Sequence, residues 1–74
     1  MELQQFIKDF TVELEESEGS LNEETKFKEL EAWDSMNMLL IIAMVDRKYD
    51  KQLVGEDFNA AGTLGDLYNV ISRK

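Results

Sequence analysis

Asp34-Ser35-Met36-Asn37-Met38-Leu39-Leu40-Ile41-Ile42-Ala43-Met44-Val45-Asp46-Arg47-Lys48-Tyr49 is the stretch that decides the fold. Asp34 is a good N-cap, and residues 38–45 carry neither a charge nor a helix breaker. The pattern predicts a helix from Ser35 to Tyr49. A helix N-terminus offers unpaired backbone N–H groups and the positive end of its dipole. Ser35 is therefore well placed to carry a phosphate ester, an anion that those groups stabilise. No other stretch of the chain looks like chemistry.

This helix has two apolar faces. At about 100° per residue, Met38, Ile41, Ile42, Val45 and Tyr49 share one face, which is assigned to the core. Met36, Leu39, Leu40 and Ala43 fall on the opposite face, which ends at Arg47. A surface helix should be polar there. Either the helix is buried all round, within the domain or in a homodimer, or the second face meets a partner. A bundle this small has little protein left to cover both faces, which favours a partner surface. Methionine suits such adaptable surfaces, although it is equally at home in an ordinary core.

Upstream, Leu3, Phe6, Ile7, Phe10 and Leu14 recur at helical spacing, so residues 2–16 read as a first helix stopped by Ser17-Glu18-Gly19-Ser20. Ser20-Leu21-Asn22-Glu23 fits a capping box, at which a short helix could start. The rest of residues 17–34 reads as a crossover loop with one helical turn, tied down by Phe27 and Leu30. Downstream, residues 50–55 form a turn. Residues 56–61 make a short helix with Gly62 as its stop. Thr63 caps the last helix in a box with Asp66, and Leu64, Leu67, Tyr68 and Ile71 form its buried stripe. The expectation is an all-α fold: a small four-helix bundle of three main helices and one short one, in a single domain over residues 1–74. Its core should hold Phe6, Phe10, Phe27, Leu30, Ile41, Val45, Phe58, Leu67 and Ile71.

Composition narrows function. The chain has 74 residues with neither cysteine nor histidine. Disulfides, thiolate chemistry, Cys/His zinc sites and histidine acid–base catalysis are excluded. A net charge of −8 argues against nucleic acid and anionic membrane surfaces, and suits solubility or a basic protein partner. No stretch is long enough to span a bilayer, and Met1-Glu2-Leu3-Gln4-Gln5 lacks the features of a signal peptide. A soluble, cytoplasmic protein is expected. Glu13, Glu15, Glu16 and Glu18 read as a solvated helix end. Asp46, Asp50 and Asp57 do not make a calcium loop, because Lys48 takes a ligand position and Lys51 replaces the required glycine. No metal site and no catalytic residue is expected.

The chain resembles the acyl carrier protein family, small bundles that carry 4′-phosphopantetheine on a serine. Asp34-Ser35-Met36 matches the family's Asp-Ser-Leu/Met motif. Phe27-Lys28-Glu29-Leu30 matches its upstream apolar anchor and acidic-Leu pair. Tyr49-Asp50 matches the end of its second helix, and Thr63-Leu64-Gly65-Asp66 the start of its last. The match spans nearly the whole chain. The resemblance implies that Ser35 is esterified by a phosphopantetheinyl transferase, with Asp34 and Met36 completing the motif. Asp34 would position the helix N-terminus and the transferase's metal-bound coenzyme A. The thiol of the arm would hold an acyl or aminoacyl group. An acyl- or aminoacyl-activating ligase would supply that group, and a downstream acyltransferase or synthase would take it.

The chain also departs from the fatty-acid-synthesis members of that family. Asn37 and Leu40 stand where those carriers have acidic residues. Asp46, Arg47 and Lys48 replace an acidic helix end. Ala32-Trp33 precedes the motif in place of Gly-Ala or Gly-Leu. This pattern looks more like stand-alone carriers of specialised pathways. It makes Trp33, Asn37, Leu39, Leu40, Ala43 and Arg47 the candidate partner-binding residues of a carrier that is monomeric when free. Trp33 either packs against the loop or meets a partner at the entry to the arm. The competing reading is a helical adaptor without a prosthetic group, in which Ser35 is only a first-turn residue and the outer face of the second helix binds a target.

Overall fold

The computed structural model describes residues 2–74. Four α-helices follow in order: α1 (Leu3–Glu13), α2 (Ser35–Tyr49), α3 (Gly55–Ala60) and α4 (Leu64–Ser72), with one 3₁₀ turn at Phe27–Glu29 between the first two. Three are long and one is short, and no strand occurs among the described residues. The long helices pack around one apolar core.

α1 ends earlier than its apolar pattern predicts. Glu15 takes a left-handed φ of 57°. The Glu15 amide then donates to Val12 O and the Glu16 amide to Thr11 O, both at 3.0 Å. These two bonds close a Schellman-type end, so the stop lies at Glu15 rather than in residues 17–20. The capping box at Ser20 does not start a helix. Asn22 competes for the same backbone: its Oδ1 accepts from the Glu24 amide at 2.8 Å, and its own amide donates to Thr25 Oγ1 at 2.8 Å. This reciprocal turn leads into the 3₁₀ turn that Phe27 anchors.

The crossover loop is fastened to the start of α4. The Leu64 amide donates to Thr25 O at 3.0 Å, and the Gly65 amide to Glu23 O at 2.9 Å. A Cβ at position 65 would sit 3.1 Å from Glu23 O, so the close approach of the loop accounts for a glycine inside a helix. Thr63 and Asp66 form the expected reciprocal box: the Asp66 amide donates to Thr63 Oγ1 at 3.1 Å, and the Thr63 amide to Asp66 Oδ2 at 3.2 Å. Gly62 is not a left-handed stop; α3 closes on an extended Ala61, and the Gly62 amide joins the Asp66 carboxylate.

α3 is tied to the rest of the chain through two adjacent residues, Asp57 and Phe58. Lys28 Nζ donates to Phe58 O at 2.8 Å, and Lys74 pairs with Asp57 at 3.0 Å. Burial alone would raise the Asp57 carboxyl, but the Val54 amide and Lys74 outweigh it and hold its pKa below the usual 3.8.

Of the expected core residues, only Leu30 sits at the margin, half-buried against the cluster; the other eight are buried. On α2 the fully buried positions are Ile41, Met44 and Val45, whereas Met38, Ile42 and Tyr49 are partly buried. Met44, absent from either assigned face, completes the i, i+3, i+4 spacing of Ile41 and Val45.

A polar clamp joins α1 to α2. Asp9 is 8% exposed and accepts from the Tyr49 hydroxyl, from Lys48 Nζ at 3.2 Å and from Gln5 Nε2 at 3.1 Å. Burial pushes the Asp9 carboxyl up, but these three donors together hold it below 3.8. Burial and the carboxylate also raise the Tyr49 hydroxyl well above its ordinary range. A carboxyl held low stabilises the fold above its unfolded value and loses that contribution as pH falls through its folded one. Asp9→Asn should therefore cost about 1.5–3 kcal/mol at neutral pH, the range for hydrogen bonds to a charged group. The gap to wild type should shrink once the pH drops below 3.8. Urea melts of both proteins across that range measure it; a gap that does not change with pH would contradict the assignment.

Candidate functional site

The site begins where the crossover loop becomes α2. Asp34 is the N-cap, in extended conformation, and its Oδ1 accepts from the Asn37 amide at 2.8 Å. The Met38 amide makes the first helical bond, to Asp34 O at 3.0 Å. Ser35 and Met36 occupy the two positions between, and no described residue accepts from their amides. Ser35 is exposed, and no described residue bonds its hydroxyl. An open hydroxyl thus stands beside two free N–H donors at the positive end of a 15-residue helix. The arrangement suits an esterified phosphate.

The residues around this point divide sharply. Trp33 turns inward: its indole lies 5.0 Å from the Phe27 ring, 5.7 Å from Phe58 and 5.9 Å from Phe10. It is half-buried, so the packing alternative holds for most of the ring. The Asn37 side chain turns back and donates to Ala32 O, bracing the loop rather than standing free. Met36, Leu39 and Leu40 point outward, 65%, 58% and 41% exposed, and Ala43 is exposed beyond them. Burial of α2 all round within the chain therefore does not occur. Arg47, at the far end of the face, pairs with Glu13 of α1 at 2.9 Å. That pair is solvent-exposed and contributes about 0–1 kcal/mol.

The pairing of Asp9 with Lys48 escaped the sequence reading, although Gln5 and Asp9 have the i, i+4 spacing of a helix-face pair. Among the described residues no group of acidic side chains is arranged to hold a metal ion. No helix of the described residues is long and apolar enough to cross a membrane.

Comparison with known proteins gives one clear likeness. The chain superimposes on the solution structure of a holo acyl carrier protein from Geobacter metallireducens with a TM-score of 0.79, at 21% identity, over 97% of this chain and 83% of that one. No protein-family model matches the sequence, and no curated protein matches it. The likeness establishes the architecture: this chain has the acyl-carrier-protein fold.

Proposed function

We propose that the chain is an acyl or aminoacyl carrier protein, not itself an enzyme, with 4′-phosphopantetheine attached at Ser35. The observation that carries this reading is the unengaged Ser35 hydroxyl beside two free amides, capped by Asp34, in a chain of the acyl-carrier fold. These residues fit the group. The Ser35 oxygen is the nucleophile: it loses its proton to the transferase as its bond to phosphorus forms and 3′,5′-ADP leaves coenzyme A. Asp34 fixes the first turn through the Asn37 amide and leaves the Ser35 and Met36 amides to donate to a phosphodiester that Ser35 would carry. When bound, the arm supplies a terminal thiol that holds the cargo as a thioester.

The partners that follow are a phosphopantetheinyl transferase, a loading ligase and a downstream acyltransferase or synthase, met by a monomeric carrier in the cytoplasm. The outer α2 face of Met36, Leu39, Leu40 and Ala43 is the proposed docking surface, with Asn37, Arg47 and the exposed edge of Trp33 at its border. Incubation with coenzyme A and a broad transferase should add one phosphopantetheine unit by intact mass. An unmodified protein would leave the second reading, an adaptor that binds through the exposed Met36-Leu39-Leu40 face.

Leu40→Glu should leave folding and arm attachment unchanged and depress loading by the pathway's ligase about tenfold or more, because the new charge must be desolvated without a partner. Loading kinetics on the holo-protein at low and moderate salt measure this. Unchanged loading, or strong use of the wild type by generic fatty-acid-synthase enzymes, would remove the docking assignment and leave the carrier reading intact.

A further inference from the structure

The interior beside Ser35 is filled with rings. Trp33 stands two residues before the serine, stacked on Phe10 with a 13° interplanar angle and set edge-on against Phe27. Phe27 in turn lies 5.8 Å from Phe10 and 6.2 Å from Phe58. Phe10, Phe27 and Phe58 are at most 2% exposed. The four rings come from four separate segments: α1, the 3₁₀ turn, the approach to α2, and α3. Interiors packed in this way do not admit added carbon atoms without forcing side chains off their rotamers or moving a whole element. The element nearest to hand is α3, and it is held at its centre, where Phe58 O accepts from Lys28 and Asp57 pairs with Lys74.

Resting on the carrier reading above, we infer that the bundle interior is closed to cargo, with Trp33 and Phe58 as the plug, and that the group carried is short or polar. A short acyl or aminoacyl group loses little by staying in water, whereas a long alkyl chain forgoes the burial of every methylene.

Two loaded forms test this. Acetyl- and octanoyl-coenzyme A are used with a broad transferase, and intact mass verifies each product. The two forms should melt within about 2 °C of each other and share one Trp33 emission spectrum. Any larger rise for the octanoyl form, or a shifted emission, overturns the inference while the mass gain preserves the carrier reading. No mass gain from either donor overturns the carrier reading itself. Trp33→Ala opens the plug, so there the octanoyl form should melt roughly 5 °C above the acetyl form by circular dichroism. A folded Trp33→Ala protein that gains nothing from the longer chain overturns the role given to Trp33. Phe58→Leu, a smaller opening, provides the same comparison if the alanine variant does not fold.

Discussion

Ser35→Ala abolishes phosphopantetheine attachment completely and leaves the melting curve close to that of wild type. The first half follows from chemistry: alanine has no oxygen to bond to phosphorus. The second follows from geometry. The Ser35 side chain is exposed and makes no hydrogen bond to a described residue, while the cap is made by Asp34 and the Asn37 amide. Alanine is also the better helix former at an exposed position, by a few tenths of a kcal/mol. Ser17, Ser20 and Ser72 lack this setting: Ser17 and Ser20 belong to a turn closed by the Ser20 hydroxyl on Ser17 O, and Ser72 ends α4. Intact mass after transferase treatment is the measurement, with circular dichroism alongside. A phosphopantetheine unit on the Ser35→Ala protein would falsify the site outright.

Phe10→Ala should cost about 3–5 kcal/mol. Phe10 is fully buried and central to the ring cluster, with centroids 6.1 Å from Phe6, 5.8 Å from Phe27 and 5.9 Å from Trp33. Truncation removes those contacts together and leaves a void between α1, the 3₁₀ turn and the approach to α2. A domain of this length has roughly 4–11 kcal/mol of stability in total, so the variant should be marginal at room temperature. Urea unfolding followed by circular dichroism gives the difference. A loss under about 1 kcal/mol would mean that the rings do not form the packed unit described.

Much of this molecule is written locally. The apolar run of α2, its Asp34 cap and the Thr63/Asp66 box each depend on residues within one or two helical turns, and each is where the spacing places it. The outward turn of Met36, Leu39 and Leu40 was likewise legible, because the chain is too short to cover a second apolar face. What escaped depends on competition or on distance. Glu15 ends α1 in a left-handed conformation that its residue type does not signal. Asn22 and Ser20 offer rival local motifs, and spacing does not rank them. The clamp of Asp9 by Tyr49 joins positions 40 residues apart, beyond any local pattern. For the same reason, sequence left both roles of Trp33 open until the Phe10, Phe27 and Phe58 rings were brought around it.

The two bonds from the crossover loop to α4 make the helix starts unequal. First-turn amides normally exchange their protons with solvent almost as fast as a coil does. At α4 the Leu64 and Gly65 amides are held by Thr25 O and Glu23 O, and the Asp66 amide by Thr63 Oγ1. Their deuterium uptake should be slow and should report the opening of the loop. At α2 the Ser35 and Met36 amides have no such partner among the described residues and should exchange at once. A phosphodiester on Ser35 would slow those two amides alone, so an exchange experiment on the unmodified and modified chains reads the first turn of α2 directly, with α4 as the internal reference.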